Sequence, residues 1–316
     1  MTIVVSPTSG SINFTMNRDE IILDVLETCG VLSPGETAKP ADVSSCARKL
    51  NMMVKSWMKQ GLHLWALDEA TLFLSVGTQT FGLGPSGTHC TNSYVYTTLS
   101  TAEALGSTSL GITSATGMSA SDNIGIVLDD GTIHWTTISG APGTTTTIAV
   151  GLASAASAGN VVFAYTSVIN RPQRIISAYR RNISGNDVPI DVGSRQDYQD
   201  LANKFVTGKT NRVFYDPQLT TGVLYAWPTP DLATDVIRFW YERPLEDFDA
   251  STDNPDFPIE WAEAICAGLA YRMAKPFGLD ARTTAELKED AMMMLDSALG
   301  YDREDASIQF QPDFRR

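Results

Sequence analysis

Apolar residues recur at helical spacing near both ends of the chain and at strand spacing between them. Asn17-Arg-Asp-Glu20 puts a capping residue three positions before a carboxylate. Ile21, Ile22, Val25, Leu26 and Cys29 follow on one helical face, up to Gly30. Pro40 suits the first turn of a second helix with the stripe Val43, Cys46, Ala47, Leu50, Met53, Val54 and Trp57, closed by Gly61. An antiparallel helix pair is the simplest arrangement. Lys49, Lys55 and Lys59 fall off the stripe and read as a solvated face. Toward the other end, Pro258 opens a third helix with Ile259, Ala262, Ile265, Cys266, Leu269 and Met273 on one face, broken by Pro276 and Gly278. Asp280 can cap a fourth, which carries Ala285, Leu287, Ala291, Met292, Leu295 and Leu299 and ends at Gly300. Its run of Met292, Met293 and Met294 reads as adaptable packing.

Between the helix pairs lie short β-branched and aromatic runs bounded by Gly, Pro, Asn or Asp. Residues 70–76 and 79–83, separated by Gly77-Thr78, predict a strand pair. Further strands are expected at 174–181, 188–192, 212–215, 223–227 and 236–241, with turns at Gly185-Asn186-Asp187 and Thr221-Gly222. The fold class is α+β: a helical host domain with N- and C-terminal helix pairs and a small antiparallel sheet. Residues 88–168 differ, because Thr, Ser, Gly, Ala and Val dominate there. Asp129-Asp130-Gly131 between two apolar runs, 124–128 and 132–138, is a hairpin signal. Strands are also expected at 144–150 and 160–165, and 153–158 is a small-residue linker or a brief helical turn. An inserted all-β module, barrel- or sandwich-like, follows. Its junctions, Gly84-Pro-Ser-Gly87 and Asn170-Arg-Pro172, are loops of the kind that tolerate insertion. The expected division is 1–87 and 169–300 for the host, 88–168 for the β-module and 301–316 for an extended C-terminal arm.

Charge sharpens that boundary. From Gln60 to Asn170, 111 residues contain no lysine or arginine and only six acids: Asp68, Glu69, Glu103, Asp122, Asp129 and Asp130. The gap overshoots the module, since 60–87 share the host's helix end and strand pattern. The whole chain carries a net charge of −13, which argues against a basic surface wrapping nucleic acid. It leaves room for DNA sliding past an acidic wall. No apolar run approaches the ~20 residues of a membrane helix. The start lacks the basic and apolar regions of a signal peptide. Cys29, Cys46, Cys90 and Cys266 are scattered and read as buried free thiols of a reducing compartment.

The catalytic motifs fail on inspection. Gly208-Lys209-Thr210 would need a glycine where Asn203 stands to make a phosphate-binding loop. His63, His89 and His134 share no metal-ligand spacing. Asp129 and Asp130 lack a calcium-loop pattern around them. No Gly-x-Ser-x-Gly elbow occurs. Carboxylate pairs can hydrolyse sugars, but the six acids within 242–256 read as a solvated, proline-bounded linker. No catalytic, cofactor-binding or metal site is expected, and the chain reads as a non-enzyme without a cofactor.

Several host segments carry a resemblance, in one order along the chain: TQTFGLGP (78–85), RPQRIISAYR (171–180), DVPI (187–190), SRQDY (194–198), KFVTG (204–208), LYAWPTP (224–230), DFPIEWAEA (256–264) and Leu269-Ala270. The chain resembles the head-to-tail adaptors of short-tailed bacteriophages, the tail accessory and tail tubular protein A-like family. The resemblance implies a homo-oligomeric ring, commonly a dodecamer, that docks under the portal protein, extends the DNA channel and provides the platform for the tail nozzle and fibres. Packaged double-stranded DNA would pass without sequence-specific binding, and no membrane is involved. The protein would be made in the bacterial host cytoplasm and reside in the virion at the head-to-tail interface. It also implies a C-terminal arm reaching the portal, for which Ile308, Phe310, Phe314, Arg315 and Arg316 are the anchors here; a frayed tail is the plainer reading of the same residues. Two alternatives stand: a tail-associated peptidoglycan hydrolase, and a receptor- or fibre-docking protein acting through the β-module. Tyr94, Tyr96 and Trp135 would form that docking surface, although these aromatics equally suit a core. The resemblance is silent on the role of the module.

Overall fold

The computed structural model describes residues 13–33, 35–58 and 64–301. The chain is α+β and divides into two compact units: one takes the described residues up to Ala66 and from Leu245 onward, the other is Leu67–Pro244. Its helices are α1 (Arg18–Thr28), α2 (Pro40–Trp57), α3 (Arg195–Gln199), α4 (Ala262–Ala274) and α5 (Ala281–Tyr301). No helix among the described residues is long and apolar enough to cross a membrane.

The first unit is helical. Asn17 caps α1 reciprocally: its side chain accepts from the Glu20 amide at 3.0 Å, and the Glu20 carboxylate accepts from the Asn17 amide at 2.8 Å. Pro40 is the first residue of α2. Pro258 leads into a 3-10 turn, Ile259–Trp261, that runs on into α4. The Asp280 carboxylate accepts from the Arg282 amide at the start of α5. α4 packs against α1, α2 and α5. Ile21, Leu26, Leu50, Met53, Trp261, Ile265 and Met273 are buried in the shared core. Gly268 of α4 lets Trp57 approach, since a β-carbon there would lie 3.0 Å from its ring. Trp57 and Trp65 meet Trp261 at centroid distances of 5.9 and 4.9 Å. Cys29 and Cys46 are buried and Cys266 is partly so, all as free thiols.

Three expectations about this unit change. The acid-rich segment after Glu242 is folded structure, not a solvated linker. Leu245 and Phe248 are buried, and Asn51 of α2 holds the Phe248 backbone from both sides. Asp253 accepts from the amides of Asp249 and Ala250, and Asp256 from that of Glu246. Lys55, read as solvated, donates to the Leu245 carbonyl at 2.6 Å and pairs with Asp247 at 2.8 Å. Met292 and Met293 are exposed, and only Met294 of that run packs on the core. Gly61, Lys59 and His63 lie outside the described residues.

The second unit holds the strands β1 (Leu67–Phe73), β2 (Thr80–Leu83), β3 (Cys90–Thr91), β4 (Val95–Thr98), β5 (Ser109–Gly111), β6 (Asn123–Val127), β7 (Ile133–Thr137), β8 (Thr145–Thr147), β9 (Val161–Tyr165), β10 (Arg174–Arg181), β11 (Asp187–Gly193), β12 (Thr207–Gly208), β13 (Arg212–Asp216), β14 (Gly222–Trp227), β15 (Thr229–Pro230) and β16 (Val236–Glu242). Eight of them form one sheet in the order β2-β14-β13-β11-β10-β16-β1-β3. Alternation sets its register: Ala70 faces Phe239 and Leu72 faces Ile237, all buried. β1 and β2 do not pair with each other. Gly77, at φ +74°, donates its amide to the Pro230 carbonyl, and the chain crosses to the far edge, where β2 pairs with β14. The sheet is also not wholly antiparallel. β11 and β13 run parallel, Asp191 opposite Arg212, joined by a crossover that contains α3.

Residues 95–165 build a barrel-like β-module. Its four-stranded sheet has the order β4-β9-β6-β7, with β5 paired to β8. Bridges Leu99–Ile112, Glu103–Ala156 and Ile138–Ile148 close it around Leu110, Ile124, Ile126, Ile138, Ile148 and Val162. The β6–β7 hairpin turns at the expected place, with Gly131 at φ +81°. The chain leaves and rejoins the large sheet at neighbouring points, because the Ile169 amide donates to the Cys90 carbonyl at 3.0 Å. Gly87 makes the first junction possible: a β-carbon there would lie 2.3 Å from the Gly82 carbonyl oxygen.

Candidate interaction surfaces

Tyr94 and Trp135 pack against a ring cluster whose centre, Phe73, is 2% exposed. Phe73 meets Tyr94, Trp135, Phe163 and Tyr165 at centroid distances of 5.3, 5.2, 4.8 and 5.9 Å. His89 stacks on Trp135 at 3.8 Å and shares a 2.6 Å hydrogen bond with the Tyr165 hydroxyl. Burial lowers the His89 pKa to about 4 and raises that of Tyr165 to about 12, so both are neutral at pH 7. Tyr96 points the other way in character: it is 49% exposed. It lines a cleft of about 170 Å³ with Tyr94, Phe163, Arg181, Ile183 and Val236. Arg181 is fixed by two 2.7 Å bonds to the Asp187 carboxylate, which raise its pKa and lower that of Asp187. The three aromatic residues singled out from the sequence therefore share one neighbourhood, with Tyr96 its exposed member.

A second surface surrounds Phe205, which is 81% exposed. Its loop is held at successive points. Trp227 donates from its indole to the Asn203 carbonyl at 2.9 Å, and the Gln79 side-chain amide donates to the Lys204 carbonyl at 2.8 Å. The Thr229 amide donates to the Val206 carbonyl at 2.8 Å, and β12 pairs in parallel with β15. Lys204 folds back, donating to the carbonyls of Gln199 and Leu201. A fixed backbone that presents a large aromatic ring has the chemistry of a preorganised contact. Burial arguments from the sequence did not find Phe205. The signal available was the segment 204–208 among those carrying the resemblance.

The outer face of the large sheet is a third surface. Trp240 is 42% and Ile176 39% exposed there. The Glu69 carboxylate receives the Tyr179 hydroxyl and the Arg238 guanidinium. Burial and that carboxylate push Tyr179 up to about 12.

The residues weighed for chemistry hold structure instead. Lys209 pairs with Asp231 and Asp235, both at 3.3 Å, and the Thr210 hydroxyl donates to the Pro228 carbonyl. Asp129 accepts from Ser157 and Asn160, and Asp130 from Thr132, which secures the hairpin turn. His134 lies in β7 and contacts the Val150 carbonyl. Among the described residues no three His, Cys, Asp or Glu side chains gather as metal ligands would. Ile308, Phe310, Phe314, Arg315 and Arg316 lie outside the described residues.

Residues 133–313, more than half of the chain, match the family model described as SU10 adaptor protein. The match begins at β7 and takes in the Phe205 loop, the strands from β10 to β16 and helices α4 and α5. No curated protein matches the chain.

Proposed function

From the chain's membership, since it belongs to the SU10 adaptor protein family, we propose that it is a head-to-tail adaptor forming a ring under the portal. The family is structural and not enzymatic, and its members are virion components that contact other virion components such as portal and tail. The match over residues 133–313 is the observation that carries the reading. In this proposal identical subunits, a dodecamer as in tail tubular protein A-like adaptors, extend the DNA channel and seat the tail nozzle. The net charge of −13 favours passage of the duplex over its retention on the wall. Beyond Tyr301, the last residue of α5, residues 302–316 serve as the portal-binding arm through Ile308, Phe310, Phe314, Arg315 and Arg316. Phe205 and Tyr96 are the side chains offered to neighbouring subunits or tail proteins. The acids that motivated a hydrolase reading cap backbone amides in a folded segment, so that alternative is not carried forward.

The test is co-expression with the cognate portal protein, followed by native mass measurement and cryo-electron microscopy. A ring bound to the portal is expected, and deletion of 302–316 should release it while leaving the fold intact. A chain that stays monomeric with portal present, and that is missing from purified head-to-tail complexes, would refute the proposal.

A further inference from the structure

A cavity of about 250 Å³ opens where the start of β4 and the end of β9 meet the loop that leads into β6. Oxygen-bearing side chains wall it: Thr91, Asn92, Ser93, Asp122, Thr166 and Ser167. Asp122 is only 2% exposed. Its Oδ2 accepts from the Ser119 amide at 2.7 Å. Its Oδ1 is equally hidden and meets no hydrogen-bond donor among the described residues. A buried carboxylate oxygen in that position has given up its hydration without a replacement.

The lining itself has no cation to offer. Every residue lining the cavity falls inside the 111-residue stretch without lysine or arginine. His89, in the same stretch, is engaged with Tyr165 and stays neutral. The wall is set in place by its own bonds. The Thr91 hydroxyl donates to the Ser93 carbonyl at 3.0 Å, and Asn92 accepts from the Tyr241 hydroxyl at 3.2 Å. A donor set made of one carboxylate, an amide and several hydroxyls, with neither imidazole nor thiolate, suits a hard cation. We propose that this cavity binds a divalent cation of the calcium class through Asp122, with Asn92, Ser93, Thr166 and Ser167 as neutral oxygen ligands. One carboxylate makes the site a weak one, completed by water, because calcium affinity follows the number of charged ligands.

Terbium luminescence on the purified full chain tests the proposal, since Tyr94 and Tyr165 line the cavity and can sensitise a bound lanthanide. Saturable terbium emission is expected, displaced by calcium chloride and not by sodium chloride at equal ionic strength. Asp122→Asn should weaken that binding on the order of tenfold or more, because it removes the charged ligand. Calcium should also slow amide exchange of the wild-type chain at residues 91–95, 117–122 and 164–167, a readout that stands even if the variant fails to fold. Emission that calcium does not displace, equal displacement by sodium, a folded Asp122→Asn chain with unchanged binding, or unchanged exchange in those segments would each overturn the proposal.

Discussion

Replacing Phe73 with alanine removes the ring on which the β-module and the large sheet converge. Phe73 belongs to β1, whereas the rings it meets at 5.3, 5.2, 4.8 and 5.9 Å come from the loop before β4, from β7 and from β9. At 2% exposure the whole side chain counts as core. Truncating a buried phenylalanine costs about 3–5 kcal/mol, the spread reflecting how far the site collapses. Four aromatic neighbours resist collapse, and ring pairs add ~0.5–1.5 kcal/mol beyond area burial. The expected loss is therefore near the top of that range, about 4–5 kcal/mol, a large part of an ordinary domain's ~5–15 kcal/mol. Phe73→Leu leaves a smaller cavity but loses the same ring pairs, so it should cost less than Phe73→Ala, about 2–3 kcal/mol. Urea denaturation measures the shift in midpoint, and hydrogen exchange at 123–127 and 161–165 reports whether the module loosens. A loss below ~2 kcal/mol for Phe73→Ala, or exchange in β6 and β9 unchanged from wild type, would refute the role given to this ring.

Other outcomes follow from single contacts. Gly222→Ala places a β-carbon 2.1 Å from the Tyr215 hydroxyl, which already donates to the Pro172 carbonyl at 2.6 Å; the overpacking should cost ~1–3 kcal/mol in a thermal or urea melt. Asn17→Ala removes one half of the α1 capping box and should cost ~1 kcal/mol, with faster exchange confined to the first turn. His89 gives a pH signature: its folded pKa lies near 4, below the ordinary 6.5, so the unfolded chain binds the extra proton between those values. Its contribution to stability is complete above pH 6.5 and declines as pH falls toward 4, and His89→Gln should flatten that part of a stability-versus-pH curve.

Element by element, local signals were legible and long-range ones were not. Asn17, Pro40, Pro258 and Asp280 marked helix starts because capping and proline placement act within one turn. Strands β10, β11, β13, β14 and β16 were visible from their composition and boundaries. Their order was hidden, since which strand β2 joins depends on where Gly77 sends the chain, not on β2 itself. β4 and β5 escaped because their Thr- and Ser-rich sequences carry weak alternation. Taken as free charges, the acids after Glu242 predict a solvated segment, whereas in the fold Asp253 and Asp256 serve as backbone acceptors. Among the aromatics, Tyr96 differs from Tyr94 and Trp135 through tertiary burial alone. Asp122 gave no sign of itself either, as an orphaned oxygen exists only once the donors around it are placed.

The hydrogen bond between Ile169 and Cys90 has a mechanical consequence. Because the β-module departs and returns at one spot, the covalent path of a pull on it enters the large sheet at a single point, beside the buried contacts of Phe73. That spot is β3, a two-residue edge strand paired to β1 only at Thr71–Thr91 and Leu72–Cys90. Once the Phe73 contacts give way, force along that path peels this short ribbon one rung at a time instead of shearing the seven-rung β1–β16 ladder beside it. The module can thus yield under tension while the wall behind it keeps its register.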